Sequence, residues 1–213
     1  MTAPTRVRRP QARGDRARKA ILETAMQQAT VEGLDGLSLG ALATRLGVSK
    51  AGLFAHFPNK EALQLAVVEF AVGQFIADVV EPALAEPSRL LRLWRAHEAN
   101  LGWRGSTLPG GCFFTNAQVE FDAKPGPVRD RLTAALADWL DFLVRLAASA
   151  RKHGELRPNT DPEQLAFELH AYCAAATYQS RLAPALGGAA RARAAGLNRL
   201  RALAIHPSEL PES

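Results

Sequence analysis

Residues Ser38 to Leu63, SLGALATRLGVSKAGLFAHFPNKEAL, constrain the fold more than any other stretch of this chain. Starts and stops for short helices alternate within it. Ser38 is a good N-cap, because its hydroxyl oxygen can accept from the free N–H groups of a helix running to about Leu46. Leu42, Ala43 and Leu46 give that helix one apolar face. Gly47 suits the left-handed residue that ends a helix, with Val48 placed to pack back on the last turn. Ser49 caps the next helix, in which Leu53 and Phe57 face inward and Lys50, Ala51, Gly52, Ala55 and His56 face outward. Pro58 stops it, and Asn59 caps a third, longer helix.

A helix of about two turns is marginal alone and needs tertiary support. The segment Arg16 to Glu32 offers it, since Ile21, Leu22, Ala25, Met26 and Ala29 form an apolar stripe that ends before Gly33. Two short helices around a tight turn, held by a preceding helix, make a helix-turn-helix, which projects its second helix into a DNA major groove.

The motifs A-x-x-L-G-V-S and L-F-x-H-F-P-N-K-E-A-L, both present here, resemble the TetR family of one-component transcriptional regulators over about the first third of the chain. Gly110 to Asp122, GGCFFTNAQVEFD, resembles one subgroup of these regulators. The resemblance implies an all-α fold, with an N-terminal three-helix helix-turn-helix domain followed by a larger helical ligand-binding and dimerisation domain. It also implies a ligand-responsive repressor, bound as a homodimer to a palindromic operator and released by a small molecule. The DNA contacts implied are Ser38, Ser49, Lys50, Ala51, Gly52, Phe54, His56 and Lys60. Ser38 and Ser49 would meet phosphates at helix starts, Lys50, Ala51 and Gly52 the base edges, and Lys60 the backbone. Where the family has Tyr this chain has Phe54, so a phosphate contact through that hydroxyl is lost. Gly52 replaces a residue with a side chain, at about 1 kcal/mol of helix propensity against Ala.

Charge supports the same reading independently. Residues 1–60 carry 10 basic and 4 acidic side chains, whereas the rest of the chain carries 16 and 17. The whole net charge of +5 therefore belongs to the N-terminal region, the concentration of cations that phosphate neutralisation requires. The sequence divides into a mobile basic tail over 1–14, a DNA-binding domain over 15–60, an effector and dimerisation domain over 61–206, and a tail over 207–213. Arginines of the first tail are candidates for a minor groove.

The second region reads as helices: Lys60 to about Ala83, Ser88 to Trp103, Cys112 to Phe121, whose CFFTNAQVEF pattern also fits a strand, Pro127 to His153, Asp161 to about Leu186, and a last helix to about Ile205. The final two are the expected dimer surface, with Leu165, Leu169, Tyr172, Ala176 and Leu182 at helical spacing. Large aromatics concentrate between the DNA reader and these helices. Phe70, Trp94, His97, Trp103, Phe114, Asn116, Trp139, Phe142 and Tyr172 are the expected lining of a site for a small apolar or amphipathic effector.

No Gly-rich phosphate loop, nucleophile elbow or metal-ligand spacing is present, so no catalytic residue, metal or cofactor is expected. Cys112 and Cys173 lack the spacing of a zinc site or disulfide framework. No apolar run approaches the roughly 18 residues of a membrane span, and the N-terminus lacks the apolar core of a signal peptide. A cytoplasmic protein with no membrane partner is expected. The alternative is a helical protein-interaction module without specific DNA binding.

Overall fold

A computed structural model describes residues 9–105 and 108–212, with side chains from residue 14 onward. Among the described residues every regular element is helical, and the one β feature is an isolated bridge between Leu156 and Ala204. In chain order the elements are α1 (Arg9–Glu32), α2 (Leu39–Leu46), α3 (Lys50–His56), α4 (Lys60–Phe75), a π-helical turn (Ile76–Val80) and α5 (Glu81–Ala85). Then come α6 (Arg89–Arg104), α7 (Phe113–Phe121), α8 (Pro127–Lys152), α9 (Pro162–Leu182) and α10 (Gly188–Leu203).

The punctuation of the N-terminal third comes from its caps. Ser38 Oγ accepts from Ala41 N–H at 3.3 Å, Ser49 Oγ from Gly52 N–H at 3.0 Å, and Asn59 Oδ1 from Ala62 N–H at 2.8 Å. Gly47 ends α2 at φ 66°, where only glycine is free of strain. Its N–H and that of Val48 donate to Thr44 O and Ala43 O, a Schellman closure. Val48 stays 44% exposed, so hydrogen bonds rather than the expected apolar return close this end.

Two apolar cores result. The first gathers Ile21, Leu22, Ala25, Leu42, Leu53, Phe57, Leu63 and Val67, and it also takes Phe113 and Phe121 of α7 and Leu132 of α8. It therefore runs across residue 60, where the sequence suggests a boundary. The second is built from α6, α8, α9 and α10 around Leu93, Trp94, Leu143, Leu169 and Leu197.

Several expectations need correction. Helix α1 begins at Arg9, so residues 9–14 of the expected tail are helical; Pro10 is tolerated in a first turn, and Ala, Gln and Arg propagate a helix well. Residues 1–8, with Arg6 and Arg8, lie outside the described residues. Helix α9 ends at Leu182 rather than Leu186, because Pro184 disfavours helix in the residue before it. In the expected C-terminal tail Leu210 is only 4% exposed and joins the second core. Finally, Lys60–Ala85 is by length and composition long and apolar enough to cross a membrane, with mean hydropathy 1.6. One side of it packs inside the protein: Leu63, Val67 and Ala71 fill the first core, and Glu69 accepts from Arg131 Nη2 of α8 at 3.0 Å.

Candidate nucleic-acid interface and ligand cavity

Helix α3 is anchored from beneath and bare above. Leu53 and Phe57 are 0% and 1% exposed, while Lys50, Ala51, Gly52, Phe54, Ala55 and His56 all face solvent. The guanidinium of Arg18 lies 5.3 Å from the centre of the Phe57 ring, tying α1 to the end of α3. Because Ser38 and Ser49 cap with an oxygen lone pair, each keeps its hydroxyl proton to donate to a phosphate. Phe54 is 48% exposed, so its ring is a surface group able to meet a sugar or thymine methyl rather than a packing residue. A β-carbon on Gly52 would stand 3.2 Å from Ser49 Oγ, so glycine leaves room for the cap.

The cations around α3 are not equivalent. Arg45 pairs with Glu32 at 3.3 Å and Lys60 with Asp35 at 2.8 Å. Asp35 also accepts from Lys124 at 3.1 Å, and these two lysines hold its carboxyl down to about 2. Among the described residues no carboxylate lies within 4.0 Å of Lys50, whose side chain runs over Gly40 of α2. Of Arg45, Lys50 and Lys60, Lys50 alone holds no carboxylate among the described residues.

Behind the reader, Phe75, Trp103, Phe114 and Trp139 converge. Phe75 meets the other three rings edge-on, with centroids 5.6, 5.8 and 5.0 Å away. They wall a narrow cavity with Asn100, Arg104, Cys112, Gln118, Leu136 and His170, and all but Trp103 also wall a wider neighbouring groove with Val72, Ile76, Val80, Asp138, Phe142 and Arg145. Burial, and secondarily Arg104, pushes the His170 imidazole down to about 4, so it is neutral at pH 7.

Of the nine lining residues expected from sequence, Trp103, Phe114, Trp139 and Phe142 reach these walls and the other five do not. Phe70 packs on the first core, and Trp94 and Tyr172 on the second. His97 is 1% exposed, with Nε2 3.0 Å from Ala192 O and Nδ1 3.4 Å from Cys173 Sγ, which makes it a joint between α6, α9 and α10. Burial depresses its pKa, and the same burial pushes the Cys173 thiol up to about 12. Asn116 donates to Thr30 O and Gly110 O, both at 3.0 Å, and so ties α7 to α1. Phe75, Asn100, Arg104, Gln118 and Leu136 are wall residues that the sequence reading missed. No group of three or more His, Cys, Asp or Glu able to hold a metal occurs among the described residues.

Residues 21–67 match the model for bacterial regulatory proteins of the tetR family, and residues 89–195 match the tetracyclin repressor-like C-terminal domain. The chain belongs to the TetR family. RutR, an HTH-type transcriptional regulator of Escherichia coli O157:H7, is 30% identical over 72% of the chain and 70% of its own length. The transcriptional regulator AcuR of Cereibacter sphaeroides is 26% identical over 78% of each. A TetR-family regulator from Cytophaga hutchinsonii superposes with a TM-score of 0.79 at 22% identity, covering 91% of this chain and 97% of that one, which shows the shared fold. As a TetR-family protein the chain is a DNA-binding transcriptional regulator.

Proposed function

We propose that this regulator is a cytoplasmic homodimeric repressor that binds a palindromic operator through α3 of each protomer and is released when a small molecule fills the aromatic cavity. The observation that carries this reading is the double duty of α7. One side of α7 supplies Phe114 and Gln118 to the cavity. Another side grips the reader: the Glu120 carboxylate accepts from Leu34 N–H at 2.7 Å and Asp35 N–H at 3.1 Å, in the turn that leads into α2. Gln64 of α4 donates to Leu34 O at 3.0 Å and fastens the same turn from a second direction.

The π-helical turn adds a second route. Ile76 and Val80 line the groove, directly continuous with α4, whose N-terminus succeeds α3. Single π turns inside α-helices recur at functional sites. A ligand that prefers one arrangement of α7 and this turn over another shifts the spacing of the two reading helices, and operator must then weaken ligand binding by the same factor.

Dimerisation is supported by an unpartnered apolar stripe on α9 and just beyond it. Phe167, Tyr178, Leu182 and Leu186 are 66%, 50%, 84% and 56% exposed. This is the opposite face from Leu165, Leu169 and Ala176, which the monomer core consumes. The test is fluorescence anisotropy of the full chain on duplex DNA from upstream of its own gene, titrated with fractionated cell extract. Tight binding relieved by a fraction that also raises the melting temperature of the protein supports the proposal. Binding that no fraction relieves contradicts it.

A further inference from the structure

Arg104, in the last turn of α6, is the one half-buried arginine of the cavity wall, and its partners are all neutral. Its Nε donates to Asn100 Oδ1 at 3.2 Å, and Nη1 to Thr115 Oγ1 at 2.9 Å and Thr177 Oγ1 at 3.4 Å. Among the described residues no carboxylate lies within 4.0 Å of it; the half-buried Arg92 and Arg201 also lack one but bond backbone carbonyls, whereas Arg89, Arg131, Arg193 and Arg199 each hold one. A guanidinium has five N–H donors, and Nη2 has no hydrogen-bond partner among the described residues. The guanidinium is only half-buried and its Nη2 is not among the buried unpartnered atoms, so it stays accessible as a donor with no carboxylate beside it.

The cavity around it is incomplete in hydrogen bonds. Trp103 Nε1, Trp139 Nε1 and His170 Nδ1 are buried without a partner, and all three residues line this same cavity. Two of these are indole N–H groups, which can only donate. Unsatisfied buried polar atoms are rare in folded proteins and call for a partner. A cation with spare donors and two idle indole donors, around a neutral imidazole, together ask for an acceptor-rich anion. The cavity is narrow, but Phe75, Phe114, Ala135 and Trp139 also form the wall of the wider groove, which Val72, Ile76, Val80 and Phe142 line as apolar residues and Asp138 and Arg145 as charged ones.

Resting on the proposal that this cavity is the effector site, we infer that its ligand is an apolar carboxylate. The carboxylate seats against Arg104 and the two indoles, and the hydrocarbon body passes Phe75 into the groove. Charge-assisted bonds to a guanidinium are about twice as strong as neutral ones and bidentate when geometry allows, so affinity depends first on the anion.

The test is calorimetric titration of the full chain with matched probes: butyrate, hexanoate and 3-phenylpropionate, each against the alcohol and the amine of the same skeleton. The expected result is that at least one carboxylate binds tenfold or more tighter than its alcohol and amine, and that Arg104→Met removes the preference while Arg104→Lys keeps part of it. Should Arg104→Met fail to fold, the wild-type comparison and Arg104→Lys decide. Equal or tighter binding of an alcohol or amine, or no carboxylate binding at millimolar concentration, overturns the inference. Operator release is read separately by anisotropy. A carboxylate that binds yet leaves operator bound upholds this inference and counts against the effector role of the cavity. Release by a neutral or cationic compound that competes for the cavity does the reverse.

Discussion

Lys50 and Lys60 look alike in sequence and differ in what they have nearby. Lys60 must give up Asp35 before it can neutralise a phosphate, and Lys50 has no such competitor. Lys50→Ala is therefore expected to weaken operator binding at least tenfold and to lower the slope of log K against log salt by about 1. Lys60→Ala is expected to cost clearly less, and equal losses in parallel anisotropy titrations would refute the distinction. His170 makes a second prediction. Its folded pKa of about 4 lies below the ordinary value of 6.5. Between those values the unfolded chain takes up a proton that the folded chain refuses, so stability present above pH 6.5 is lost as pH falls toward 4. The melting temperature should drop over that window, with a loss of no more than about 3 kcal/mol from this group. His170→Asn should flatten part of the drop, with buried His97 supplying the same sign from its own burial. Asp35 acts lower, its contribution fading only as pH falls from about 4 toward 2.

At the scale of elements, legibility tracked locality. Ser38, Gly47, Ser49 and Asn59 each act on backbone groups within a few residues, so the boundaries of α2, α3 and the start of α4 could be read directly from the chain. Glu120 could not, because its partners Leu34 and Asp35 are 86 and 85 residues away and only the docking of α7 on α1 joins them. Arg104 was hidden for a similar reason: a basic residue in a last helical turn reads as a dipole partner, and Thr177 reaches it from another helix. Helix α9 misled in a different way. Apolar residues surround it, so periodicity alone could not say that Leu165, Leu169 and Ala176 face the core while Phe167, Tyr178 and Leu182 face out. The clamp made by α7 predicts that Glu120→Ala leaves two backbone N–H groups unsatisfied, costing about 1–3 kcal/mol. Thermal unfolding should show that loss, and a ligand that binds normally should then release operator less completely. Unchanged stability and unchanged release would remove α7 from the coupling route.

For the whole molecule, one reader of seven residues offers little discrimination, and two at a fixed separation offer much more. The stripe on α9 is where the second copy is expected. Charges introduced by Phe167→Glu with Leu182→Glu should convert a dimer to a monomer in sedimentation equilibrium, with both cores intact because these side chains belong to neither. Operator affinity should fall more than tenfold in the same variant. A double variant that stays dimeric would place the interface elsewhere.

The most direct measurement of the central proposal is operator binding by the full chain on its own upstream duplex and on a scrambled duplex, across a range of salt concentrations. The expected result is two protomers per palindrome, affinity at least a thousandfold above the scrambled duplex, and a steep salt dependence that Lys50→Ala reduces. Equal affinity for the two duplexes, or affinity indifferent to both salt and Lys50, would contradict it.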